Sequence, residues 1–478
     1  MPRQFEYDAV IVGSGPNGLA AGIAIAREGG SVLVLESRDS PGGGARTAEL
    51  TLPGFHHDVC SAVHPTALAS PFFKSLPLAD HGLEFIHPEI PLAHPLDGGC
   101  CAVMHQSLEQ TAAGLGEDRD AYLGLFTSLV AKADPLFEQL LGVPIRIPKT
   151  PFTMAGFGVK AMRSASGLAT SYFKSDEARA LFAGNAAHSF MPLRAPFTAA
   201  IGLVLMLSGH RYGWPVARGG SGNITAALCS LLESLGGKIE CGRQVKTIDE
   251  LPSAKAYLFD TSPSALVDIA GTRLPNRYTE SLQRFRHGPG IFKIDYALSD
   301  AIPWTAEACR KAGTVHVGGT LGEIEESERA TWQHSAHHRP FLLVAQQSLC
   351  DPSRAPRGNH TAWVYAHVPA RSDVDMSNAI ERQLERFAPG FSDCVLARHS
   401  MNCTEVEAYN ANNIGGDIAG GANNWRQVFM RPVARINPYT TPADDIFLCS
   451  ASTPPGGGVH GMCGYHAAHA AIDRIKRV

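Results

Sequence analysis

Apolar residues cluster in short uninterrupted or alternating stretches, and their spacing predicts the elements of the chain. Asp8 to Val12 is β-branched and apolar, as a buried strand requires. Asn17 to Glu28 is alanine-rich with helical spacing and ends at Gly29-Gly30, and Ser31 to Glu36 is a second apolar strand. Together they predict a β-α-β unit. Asp118 to Gly142 reads as helical, Pro144 to Pro151 as a proline-punctuated break into another domain, and Gly222 to Leu235 as a helix stopped by Gly236-Gly237. Phe292 to Leu298, Phe341 to Gln347 and Thr361 to Val368 read as strands, the last two joined by a turn-rich antiparallel connection. The apolar run Ala199 to Leu207 is about half a membrane span. It predicts a buried helix, with a monotopic membrane contact as the second reading.

With 478 residues, the chain exceeds what one core usually organises and predicts two domains. Charged residues make up 18% and the net charge is −4, so no basic field is available to hold nucleic acid. Eleven cysteines include no Cys-x-x-Cys pair and no zinc spacing, which points to a reducing compartment and to no metal site. The opening MPRQFEYDAVIVG has acidic residues early and resembles neither a secretory signal nor a transit peptide. A cytoplasmic protein is expected, with a peripheral membrane contact as the variant of that reading.

Three glycine-rich segments carry the chemistry. In VIVGSGPNGLAAG, Gly13, Gly15 and Gly18 stand between a strand and a helix as G-x-G-x-x-G. This spacing allows a tight turn, close approach of backbone N–H groups to a pyrophosphate, and close helix–strand packing. Glu36 closes the second strand 18 residues after Gly18, where a carboxylate accepts from ribose hydroxyls and repels a 2′-phosphate. FAD or NAD is therefore favoured over NADP. Just beyond, SRDSPGGGARTAE places Gly42, Gly43 and Gly44 before Arg46 and Thr47, a second clasp around a pyrophosphate that favours FAD. An ordinary flexible loop is the alternative for that segment. Near the end, DDIFLCSASTPPGGGVHGMCGYHAAHAAI predicts a strand over Ile446 to Cys449, a turn at Gly456 to Gly458 and a helix from about Gly461. Such a helix can aim its N-terminus at the electron-rich edge of a flavin.

These motifs, with GWPVARGGSGNI, GPGIFKIDYAL and NNIGGDIAGG, resemble the phytoene desaturase-related branch of the FAD-dependent amine oxidase and phytoene dehydrogenase superfamily, over nearly the whole chain. The resemblance implies an α/β fold: a Rossmann-type FAD-binding domain split in sequence, with an inserted α+β substrate domain holding an antiparallel sheet. The expected pieces are 1–95, 216–286 and 436–478 for FAD, and 96–215 with 287–435 for substrate. The expected cofactor-binding residues are Gly13, Gly15, Pro16, Asn17 and Gly18, then Glu36 and Ser37. The second loop adds Gly43, Gly44, Ala45, Arg46 and Thr47. Val245 would touch adenine, and Ser452, Gly457, Gly458, Val459 and His460 would meet the flavin.

His460 is the catalytic candidate among twenty histidines, as a flavin-polarising donor or acid/base, with a structural hydrogen-bonding role as the alternative. Cys463 nearby reads as a packed thiol in preference to a flavin attachment point. Phe152, Phe157, Tyr172, Phe173, Phe182, Phe190 and Phe197 suit either the lining of a cavity for a hydrophobic substrate or an ordinary core. Lys293 and Asp295 share one side of a predicted strand, facing a cavity, solvent or each other. No second strand, G-x-G-x-x-G and helix occurs, so a resident NAD(P)H site is not expected. The reading is an oxidoreductase that moves hydride from a mainly apolar small molecule to flavin N5, with oxygen, a quinone or another acceptor taking the electrons. A redox-neutral isomerase or hydratase, an amine oxidase, and a non-catalytic flavin-binding partner are the alternatives.

Overall fold

The computed structural model describes residues 5–143 and 148–478, so the start of the proline-punctuated break at 144 to 151 lies outside the described residues. Strand β1 (Tyr7–Val12), helix α1 (Pro16–Arg27) and strand β2 (Val32–Leu35) form where the apolar pattern predicts them. Ten consecutive residues of α1 are buried, which explains its alanine content: one side packs on β1 and the other on the C-terminal helix Met462–Ile475. There Gly464 lies against the Asn17 carbonyl, too close for any side chain.

Strand β1 sits at the centre of a five-stranded parallel sheet, flanked by β2 and by Ala254–Phe259. Lys238–Glu240 and Ile446–Leu448 are the outer strands. Strands distant in sequence thus converge on one sheet. All but the edge strand Lys238–Glu240 are largely buried on both faces and read as apolar runs, as in YLF of Ala254–Phe259 and IFL of Ile446–Leu448.

The second sheet has seven strands, in the order 395–401, 290–298, 360–368, 342–345, 312–317, 90–95 and 101–104. Its pairs are antiparallel except for 312–317 with 90–95. Ile90–Pro95, in the piece assigned from sequence to the nucleotide domain, is therefore a strand of the second sheet. Period-two alternation divides this sheet cleanly. Phe292, Ile294, Tyr296, Val364 and Ala366 face a core that includes Ile380, Leu384 and Phe387 of the helix Ser377–Phe387. Ile291, Leu343, Trp363 and Tyr365 face the nucleotide unit and a helical layer.

That layer holds Thr198–Tyr212, within which the Ala199 to Leu207 run is buried against Asp176–Ala187. Among the described residues no helix is long and apolar enough to cross a membrane. The helix expected over Asp118 to Gly142 forms as two, Arg119–Ala131 and Ala133–Leu140.

Candidate functional site

The glycine loops meet face to face. Gly13 has φ +102°, a conformation β-carbons resist, and Gly18 lies against the Gly13 carbonyl with no room for a side chain. Pro16 occupies the first turn of α1, where its missing N–H costs nothing. Asn17 is buried and its Oδ1 has no partner. The second loop packs onto the first: Gly42 N–H donates to the Ser14 carbonyl at 3.1 Å, and a β-carbon on Gly43 would lie 3.0 Å from the Gly15 Cα. Gly44 faces Cys60, whose Sγ would lie 3.8 Å from a β-carbon there.

Glu36, 6% exposed, is held at the end of β2 by Ser14 N–H at 3.1 Å, the Ser14 hydroxyl at 2.5 Å and Arg38 N–H at 2.9 Å. Ser37 donates its hydroxyl to the same carboxylate at 3.2 Å. Arg46 reaches Glu36 at 3.5 Å and donates to the carbonyls of Ser40, Pro41 and Gly43, so its guanidinium organises the second loop. The Ala45 carbonyl accepts from the Thr225 hydroxyl at 2.7 Å. Thr47 is spent on the framework: it donates to Asp58 and accepts from Gly222 N–H at 3.0 Å, fixing the RGGSGN segment against β3 (Thr47–Ala48). Val245, almost fully buried, lies two residues beyond Arg243, whose N–H donates to the Glu36 carbonyl at 2.8 Å. Side-chain-free loops apposed at a helix N-terminus, with a buried carboxylate at the end of β2, fit the diphosphate and ribose of a dinucleotide.

One residue at this helix end escaped the sequence reading. Asp260, directly after the strand Ala254–Phe259, accepts the Gly18 N–H at 2.9 Å. Burial, opposed by that backbone bond, pushes its carboxyl up to about 7. The AKAYLF run ending in Asp-Thr-Ser-Pro was the signal that could have found it.

The C-terminal turn leaves Gly457 and Gly458 exposed and Val459 half-buried, while the Ser452 and Ser450 hydroxyls pair at 2.7 Å. His460 is buried, and its Nδ1 accepts the Met462 N–H at 3.0 Å, at the start of the C-terminal helix. Burial lowers its imidazole to about 4, so the ring is neutral. These bonds account for His460 as a brace of the turn. Cys463 is a packed thiol raised to about 11 by burial, with Sγ on the carbonyls of Thr453 and Gly456. A buried arginine that sequence reasoning missed, Arg431, lies beside the same turn: a β-carbon on Gly456 would come within 2.7 Å of its guanidinium. It donates to the Gly420 carbonyl at 2.8 Å and keeps Nε unpartnered, and burial lowers its pKa.

The face of the second sheet that looks toward these loops completes the site. Lys293 and Asp295, both buried, form an ion pair. Asp295 also lies 3.8 Å from His57 of β4 (His57–Asp58), the hairpin partner of β3. Burial raises Asp295 to about 6 against the pull of Lys293 and drops His57 to about 3. Below this pair, Arg354 is fully buried between Asp58 at 2.7 Å and Asp351 at 2.9 Å, tying the hairpin to the second unit. Farther along, His367 Nδ1 sits 2.8 Å from both oxygens of Glu328, while its Nε2 has no partner among Phe190, Phe341 and Tyr365. His188 and His316 meet at 3.0 Å, both driven strongly toward the neutral form by burial. Trp363 Nε1, His316 Nδ1 and Thr314 Oγ1 are buried without partners on the same face. Of the aromatic residues singled out from sequence, Phe157, Phe173, Phe182 and Phe190 are buried, but Phe152 lines neither cavity nor core: it is 92% exposed.

Residues 11–76 match the model of an NAD(P)-binding Rossmann-like domain. A mouse protein described as pyridine nucleotide-disulfide oxidoreductase domain-containing protein 2 is 25% identical over 99% of this chain and 94% of its own. The lycopene-forming phytoene desaturase of a Paracoccus species is 21% identical over 97% and 96%. Among solved structures, an oxidoreductase from Methanosarcina mazei superposes with TM-score 0.65 at 16% identity, covering 97% of this chain and 99% of that one. Cyclohexylamine oxidase from Brevibacterium oxydans gives 0.60 at 16%, covering 98% and 99%.

Proposed function

We propose that the chain is a member of the FAD-dependent amine oxidase and phytoene dehydrogenase superfamily and that it oxidises a mainly apolar small molecule with bound FAD. The loops at Gly13 to Gly18 and Gly42 to Gly44 would hold the diphosphate, Glu36 the ribose hydroxyls, and the Ser452 to His460 turn the ring system. When bound, the flavin supplies a hydride acceptor at N5.

The observation that carries this reading is the face of the second sheet turned toward the loops. Trp363, Tyr365, Phe341 and Phe190 make it dry and aromatic, while His367 is oriented by Glu328 with Nε2 open. An imidazole positioned by a carboxylate is built to hold a proton. Removing hydride from one carbon and a proton from its neighbour leaves a C=C bond, and His367 Nε2 is the atom to receive that proton. Arg431 supplies buried positive charge at the glycine turn. The two electrons leave afterwards to oxygen, a quinone or another acceptor.

Anaerobic titration of the flavin with isoprenoids and with amines tests the proposal. Stoichiometric bleaching by an isoprenoid, with the unsaturated product recovered, is the expected result. Bleaching by amines alone would move the reaction to C–N oxidation. Product without lasting bleaching would make it a redox-neutral isomerase.

A further inference from the structure

We propose that the surface formed by helix Pro151–Ala161, Met162, Phe197 and helix Trp425–Met430 docks on an anionic lipid bilayer. Among the described residues, seven of the thirteen exposed large hydrophobic side chains fall in these two short helices and at Met162. Phe152 is 92% exposed, Val159 65%, Trp425 60% and Phe429 59%. Side chains of this size rarely concentrate on a monomer surface without a partner.

The two helices form one patch. Phe152 and Val159 are seven residues apart and Met162 three further on, so all three lie along one helical face. The Met162 carbonyl accepts the Phe197 N–H at 3.3 Å, and the Phe197 ring packs edge-on against Phe429 at 5.4 Å. Trp425 and Phe429 are a helical turn apart. Asn423, two residues before Trp425, donates to the Ser189 carbonyl at 3.2 Å, beside Phe190 of the aromatic lining. The patch therefore lies where the chain leaves that lining.

Charge selects the occupant. The sequence has no Asp or Glu between Glu138 and Asp176, nor between Asp417 and Asp444, although 45 acidic residues occur in 478. Both stretches carry only positive charge, including Lys160, Arg163, Arg426 and Arg435, whereas Lys149 is paired with Glu138 at 2.8 Å. Aromatic side chains flanked by basic ones, with no acidic ones, match an interface of acyl chains beneath anionic headgroups. A protein partner or a second copy would not require the acidic residues to be missing from both stretches. The inference needs only the patch and its charges, and does not rest on the reaction proposed above.

The test is co-sedimentation of the purified full chain with vesicles of phosphatidylcholine alone or mixed with phosphatidylglycerol. Binding should be about tenfold tighter to the anionic vesicles and weaken at high salt. The pair Phe152→Ser and Phe429→Ser should abolish it, while Leu396→Ser, exposed on a strand of the second sheet, should not. Quenching by brominated lipid, read as the difference between wild type and Trp425→Phe, should place Trp425 in the acyl region and checks the site without altering the apolar face. Equal recovery without vesicles, binding unchanged by the patch variants, or no quenching of Trp425 would overturn the proposal. So would a wild-type dimer that the patch variants convert to monomer with no vesicle binding at all, since the patch would then be a subunit interface.

Discussion

Replacing Asp260 with asparagine should stabilise the protein, and increasingly so as pH rises. The carboxyl is buried against the end of α1 and accepts the Gly18 N–H at 2.9 Å, a bond the asparagine oxygen can keep. Its pKa is raised from 3.8 to about 7, chiefly by burial. Below about pH 3, Asp260 is protonated in the folded and the unfolded chain alike and the raised pKa costs nothing. As pH rises toward 7 the unfolded chain ionises while the folded one resists, and stability is lost until both are ionised. Above pH 7 the full cost is about 4 kcal/mol, and at pH 5 roughly 2. Unfolding entropy for a chain of this length makes 1 kcal/mol worth about 1 °C. The gap in unfolding temperature between Asp260→Asn and wild type should therefore widen by about 2–3 °C from pH 5 to pH 8. A bound diphosphate would push the carboxyl further up, so the sign holds for protein that retains its cofactor. Thermal unfolding followed by tryptophan fluorescence at both pH values is the assay. A gap independent of pH, or a less stable asparagine variant at pH 8, would refute the argument.

Three other outcomes follow from the site. His460→Ala leaves the Met462 N–H without its acceptor in a buried turn and should cost about 1–3 kcal/mol of stability; unchanged unfolding with a lowered flavin midpoint potential would instead give His460 a part in the chemistry. His367→Gln should slow anaerobic flavin reduction by a productive substrate about a hundredfold, and an unchanged rate would remove His367 as the proton acceptor. NADH or NADPH in anaerobic excess should bleach the flavin little on the timescale of turnover, whereas rapid saturable bleaching would reveal a nicotinamide site.

The β-α-β start, the glycine spacing and Glu36 were legible because they are local: turn, helix and strand obey spacing rules within thirty residues of one another. Strands buried on one or both faces, such as Gly290–Leu298 and His360–Val368, were legible for the same reason. Ile90–Pro95 was not, because prolines at 91 and 95 argue against a strand that nonetheless lies between two neighbours in the second sheet. Asp260, Arg431, the Arg354 network and the His367–Glu328 pair were hidden for a different reason. Each takes its meaning from a partner that topology supplies: Gly18 lies 242 residues from Asp260, and Asp58 lies 296 from Arg354. Arg46 and Thr47 show the converse. Their positions were anticipated, but their hydrogen bonds go to the loops themselves, which no spacing rule distinguishes from bonds to a ligand.

That the apposed glycine loops and Glu36 hold FAD is the proposal on which the reaction depends. It is tested most directly by denaturing purified protein and identifying the released flavin in wild type, Gly15→Val and Glu36→Arg. A β-carbon at Gly15 would sit 2.6 Å from the Asp260 carboxylate, and arginine at position 36 removes the acceptor at the end of β2. Wild type should release one equivalent of FAD, with a severe loss from both variants. FMN, or full FAD occupancy in both variants, would contradict it.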